Sequence, residues 1–64
     1  MKKYTPKYVI KILLKEGWIE KRIRGSHHIF TKDENKNIVV VPTSKKIIPI
    51  GTLKNIEKQA RMKF

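Results

Sequence analysis

The dipeptide Gly25-Ser26 sits between two short runs, Trp18–Arg24 and His27–Lys32, and it constrains the fold more than any other local signal. A glycine leading a two-residue loop suits a type II′ turn, whose twist matches that of two paired strands. Such a turn also fixes the register. Arg24 then opposes His27 and Ile23 opposes His28, and opposed residues project to the same side of a sheet. One face is expected to carry Ile19, Ile23, His28 and Phe30. The other is expected to carry Trp18, Arg22, Arg24, His27 and Ile29. The first set is the more apolar and should meet the rest of the core. A slip of one residue would exchange the two faces.

The flanking segments supply the remaining elements. Thr5 suits a helix N-cap and Pro6 the first helical position. Val9, Ile10, Leu13 and Leu14 then recur at helical spacing, with Ile12 at the edge of that face and Lys7, Lys11 and Lys15 opposite it. Gly17 ends the helix. Asp33–Asn37 is polar and turn-like. Ile38–Val41 is apolar and β-branched, a third strand that Pro42 stops. Thr43–Ile48 connects to a second helix starting between Pro49 and Thr52, with Leu53, Ile56 and Ala60 as its apolar positions. The order α-β-β-β-α predicts one α+β domain over residues 1–64. One helix cannot cover three antiparallel strands, so both helices should pack on the same face and leave the other open. This is the layout of a double-stranded-RNA-binding domain.

The charge of the chain narrows its partners. Sixteen Lys and Arg against five Asp and Glu give a formal charge of +11 in 64 residues. The partners such a field favours are nucleic acid, an acidic protein or an anionic surface. A polyanion bound this way releases counterions, so the association is salt-dependent. No apolar run approaches the roughly 20 residues of a membrane span. The chain has no cysteine, hence no disulfide and no thiolate metal site. Its two histidines are adjacent, so they face opposite sides of a strand and would not share a metal. No metal or small-molecule cofactor is expected, and a cytoplasmic location fits.

The segment Arg22-Ile23-Arg24-Gly25-Ser26-His27-His28 holds the residues suited to chemistry. Histidine transfers protons near neutral pH. Arginine offers a fixed charge and forked donors that match phosphate. On the face assignment above, His27 lies beside both arginines on the open side, and Lys45 and Lys46 add charge in the third connection. From residue chemistry alone His27 is a proton-transfer group, a phosphate contact or an inert turn residue. His28 is expected to pack against Phe30 or the sheet edge, and is the second choice for catalysis. Trp18 and Phe30 are expected in the core rather than as platforms for bases.

These residues, in order, resemble the HicA family, the small mRNA-interferase toxins of HicA–HicB toxin–antitoxin systems. Gly17-Trp18, Arg22 and Gly25-Ser26-His27 leading to Phe30 are similar to the family's Gly-aromatic…Arg…Gly-Ser-His segment. Val39-Val40-Val41-Pro42 is similar to its third strand, and Gly51-Thr52-Leu53, Ile56, Gln59 and Ala60 to its second helix. The resemblance implies a dsRBD-like fold, metal-independent cleavage of mRNA, and inhibition by a HicB antitoxin that masks the site. It places the catalytic histidine at His27. One departure stands out: family members often have a histidine soon after the proline that ends the third strand, and here Thr43 and Ser44 follow Pro42.

The expected site is therefore His27 for catalysis, with Arg22, Arg24, Gly25, Ser26, Lys45 and Lys46 contacting RNA. The rival readings are a non-catalytic double-stranded-RNA-binding module, a DNA-binding protein, and a purely structural partner.

Overall fold

The computed structural model describes residues 4–32 and 38–64. Its element order is α1 (Pro6–Lys15), β1 (Ile19–Arg24), β2 (His27–Thr31), β3 (Ile38–Pro42) and α2 (Ile50–Ala60). The three strands form one antiparallel sheet in the order β1-β2-β3. The expected turn at Asp33–Asn37 lies outside the described residues.

Local chemistry explains the element ends. The Thr5 hydroxyl accepts a hydrogen bond from the Tyr8 amide at 3.1 Å, and Pro6 follows as the first helical residue. At the other end of α1, the Trp18 amide donates to the Leu13 carbonyl at 2.9 Å and the Gly17 amide to the Leu14 carbonyl at 3.2 Å. This paired closure needs a left-handed residue, which Gly17 supplies at φ 96°. Leu13 and Trp18, joined by it, both enter the core. At the hairpin, Gly25 has φ 60° while Ser26 keeps a negative φ, which is the type II′ pattern expected for Gly-Ser. Arg24 accordingly pairs with His27 and Ile23 with His28.

The core lies between the sheet and both helices. Phe30, Val39 and Val41 from the sheet, Val9 and Leu13 from α1, and Leu53, Ile56 and Ala60 from α2 are buried together, with Trp18 and Ile48. Both helices therefore cover one face of the sheet, as the strand count required. Leu14 departs from the expected apolar face of α1. It is 53% exposed, while Ile10 is half-buried. At 100° per residue, Val9 and Leu13 fill the stripe facing the sheet and Leu14 is carried beyond it.

The expectation about faces fails in two respects: Ile23 keeps its side but is 56% exposed rather than meeting the core, and at one place the sides themselves change. Ile19 and Trp18 have exchanged sides. Ile19 pairs with Thr31 on the open face and is 63% exposed, whereas Trp18 is buried at 3%. The cause is a register shift between Glu20 and Arg22, where β1 carries one extra residue, Lys21. A β-bulge of this kind re-aims every side chain on the far side of it. From Arg22 to the turn, the expected alternation holds. Before the bulge it is inverted, which sends the large indole inward and leaves Ile19 outside.

Candidate active site

The open face of the sheet can be built row by row from the pairings. Arg24, His27 and Pro42 form the row nearest the hairpin turn. Arg22, Ile29 and Val40 form the next, and Ile19, Thr31 and Ile38 the last. Directly opposed residues in antiparallel strands have Cα atoms roughly 4.5–5.5 Å apart, so each row is a set of neighbouring side chains. Charge is concentrated at the turn end: Arg24, Arg22 and His27 are all exposed. Further along, the face is apolar, with Ile29 and Val40 half-buried and Ile19 and Ile38 exposed.

The turn beside His27 is held from a second element. The Ser26 carbonyl accepts two hydrogen bonds from Thr43, one from its amide at 2.7 Å and one from its hydroxyl at 2.9 Å. Thr43 directly follows the strand residue that pairs with His27. The connection after β3 is thus pinned to the hairpin, and Ser26 is oriented through its backbone. Gly25 has open space where a Cβ would stand, so the left-handed φ, rather than crowding, is what calls for glycine there.

His28 has a different environment. It faces the helix side, paired with Ile23 and Val41, and its Nδ1 lies 2.5 Å from Glu20 Oε1. The bulge makes this contact possible, because Glu20 pairs with Phe30 and so shares His28's side of the sheet. His28 thus sits on the central strand rather than at the sheet edge, and its partner is a carboxylate that the sequence did not reveal.

Lys45 and Lys46 are exposed in the connection between β3 and α2. They stand beside the start of α1 rather than in the rows of the open face, and Lys45 also borders the start of α2. The structure therefore brings together Arg22, Arg24, Gly25, Ser26 and His27 at one end of the sheet, and sets Lys45 and Lys46 across the Thr43 link from them. Thr43, Glu20 and Lys7 were missed by sequence reasoning. Their roles depend on tertiary register, and nothing local marks them. Among the described residues, no three His, Asp or Glu side chains converge as a metal site would require.

Comparison with known proteins adds an independent observation. The sequence model of a family described as the HicA toxin of bacterial toxin–antitoxin systems matches residues 6–62 of the 64. The chain belongs to the HicA toxin family. The match runs from the first residue of α1 past the end of α2, so it covers every element that builds the HicA fold described above. Membership makes the protein a toxin of a toxin–antitoxin system, in which the second component is an antitoxin. No curated protein matches the chain. Among the described residues, no helix of this HicA chain is long and apolar enough to cross a membrane.

Proposed function

We infer that this toxin is a metal-independent endoribonuclease acting on mRNA, with His27 as its catalytic residue. The observation that carries the reading is the row Arg24–His27 at the open end of the sheet, with Arg22 in the adjacent row. An exposed imidazole there has free approach to substrate, and fixed cations flank it. In the proposed reaction His27 takes the proton from a ribose 2′-OH, and that oxygen attacks the adjacent phosphorus. The P–O5′ bond breaks, leaving a 2′,3′-cyclic phosphate and a 5′-oxygen that is protonated by water. Arg22 and Arg24 offset the charge that builds on the phosphorane oxygens. Positioned proton transfer of this kind contributes about 10²–10⁴-fold.

The position after Pro42 bears on the mechanism. Thr43, standing where family members often carry a histidine, commits its hydroxyl to the Ser26 carbonyl. It serves the geometry of the turn, and His27 acts without a second imidazole. The antitoxin is proposed to be a HicB protein that covers this end of the sheet with acidic groups, so its association should weaken with salt.

A second reading rests on the Glu20–His28 contact. A carboxylate holding one ring nitrogen is how many proton-transfer histidines are oriented, leaving the other nitrogen for chemistry. It ranks below His27 because His28 faces the helices and is only partly exposed.

One experiment separates these readings. Wild type, His27→Ala and His28→Ala are incubated with a structured RNA in EDTA, and the ends of the products are identified. Cleavage by wild type and His28→Ala alone, with cyclic-phosphate ends, supports the His27 mechanism. Loss only in His28→Ala transfers the role to the Glu20–His28 pair. RNA binding without cleavage by any of them leaves a non-catalytic RNA-binding module.

A further inference from the structure

Beside the turn that carries His27 there is a groove that the proposed reaction does not use. It is an open, shallow depression between the start of α1 and the connection after β3, offering about 540 Å³. That falls within the range of roughly 300–1,000 Å³ typical of pockets for small ligands. Its lining is mostly apolar. Pro6 is buried and Ile10 half-buried, and three exposed lysines, Lys7, Lys45 and Lys46, stand around it with Thr43. No carboxylate lines it.

Two features make this a recognition surface rather than an accident of packing. The first turn of α1 has no acidic residue and carries Lys7 instead. Helix stability favours the opposite choice, since the amino end of a helix is already positive. Lys45 and Lys46 add to that same spot. A local rule broken without a gain in stability is characteristic of functional sites. The second feature is continuity. Thr43 lines the groove and also holds the Ser26 carbonyl through its amide and hydroxyl. The groove thus opens one residue away from the turn of His27.

We propose that the groove takes one unpaired nucleotide of the RNA, next to the phosphate cleaved at His27. The base lies against Pro6 and Ile10, and the neighbouring phosphate lies among Lys7, Lys45 and Lys46. Arg22 and Arg24 remain at the scissile phosphate itself, beside His27. An apolar floor with cations at its rim fits a base face joined to a phosphodiester. A duplex keeps its bases stacked and paired, and would leave the floor empty. The toxin's substrate is therefore single-stranded at the cleavage site. This proposal rests on the ribonuclease reading, and its test is built to fail separately from it.

The test uses the intact protein and a dye-labelled 2′-O-methyl RNA hexanucleotide, which cannot be cleaved at its blocked 2′ positions. One base at a time is removed to leave an abasic sugar, and affinity is followed by anisotropy. Removal at one position should weaken binding on the order of tenfold, against little change elsewhere. In Ile10→Glu the abasic and intact strands should bind alike. Lys45→Glu/Lys46→Glu, which leaves the core untouched, should weaken every strand and flatten the salt dependence. Amide resonances of Lys7, Ile10 and Lys45 should shift with the oligonucleotide.

A flat abasic scan overturns the groove, even where all-ribose RNA is still cleaved and the ribonuclease reading stands. A single sensitive base without any cleavage keeps the groove and removes the ribonuclease. Equal shifts with inorganic phosphate alone mean an anion patch with no place for a base, and overturn the proposal. So do shifts produced by an acidic peptide and not by the oligonucleotide, which would give the groove to the antitoxin.

Discussion

The two sides of β2 answer to different demands. His28 and Phe30 point toward the helices, while His27, Ile29 and Thr31 point away. On the covered side every choice is set by volume. Phe30 is fully buried and paired with Val39, and a 64-residue chain has little core to spare. On the open side nothing has to be filled. The cluster of cations and imidazole at its turn end therefore has no explanation in packing, which is why it reads as a site. Adjacent residues of one type show the contrast most sharply. His28 has a carboxylate for a neighbour, and His27 has an arginine as its cross-strand partner.

The comparison can be broken most directly by exchanging Trp18 and Ile19. With the bulge at Lys21 in place, Trp18→Ile with Ile19→Trp puts the indole on the open face and leaves its place in the core underfilled. Loss of a cooperative thermal transition by circular dichroism is expected. A melt like that of wild type would mean that the bulge does not set the faces. Next in size is the pair Phe30→Ala and Ile29→Ala, neighbours on opposite sides. The first should cost about 3–5 kcal/mol, comparable with the whole stability of a small domain, and the second about 1 kcal/mol. Equal losses in urea denaturation would show that the open face is packed as tightly as the covered one.

The histidines sharpen the comparison in function. His27→Ala should reduce RNA cleavage about 10²–10⁴-fold with an unchanged melting temperature, whereas His28→Ala should stay within a few-fold of wild type. Similar losses in both would erase the distinction between the sides. The smallest effect is expected from Thr43→Val. It removes one hydrogen bond to the Ser26 carbonyl and keeps the other, costing about 0.5–1.5 kcal/mol. In a domain of this size that corresponds to a fall of roughly 2–12 °C in melting temperature. Cleavage should fall with it if the turn positions His27.

What the sequence made legible was whatever a short stretch of chain decides for itself. Thr5-Pro6 starts α1, Gly17 ends it, Gly25-Ser26 turns the hairpin, and the β-branched run to Pro42 makes β3. From the turn back to Arg22 the side of each residue followed, and with it the juxtaposition of Arg22, Arg24 and His27. Legibility stopped at Lys21. A lysine in a polar strand carries no mark of a bulge, and the inversion beyond it is imposed by the need to bury Trp18. The Glu20–His28 contact was hidden for the same reason. Thr43 and Lys7 were illegible for another: each acts on a residue far away in the chain. The resemblance to the HicA family, rather than local chemistry, singled out His27 among the roles its residue type allows, and the family match over residues 6–62 agrees with that resemblance.

Trp18 is the chain's one tryptophan, and it lies in the core away from both the open face and the groove. Its emission is therefore an internal gauge of folding that ligand at either surface leaves largely undisturbed. A variant that loses activity while keeping the blue-shifted emission of a shielded indole has lost chemistry. One whose emission moves to the red has lost the scaffold. By turning Trp18 inward, the bulge thus equips the protein with a built-in control for substitutions on either surface.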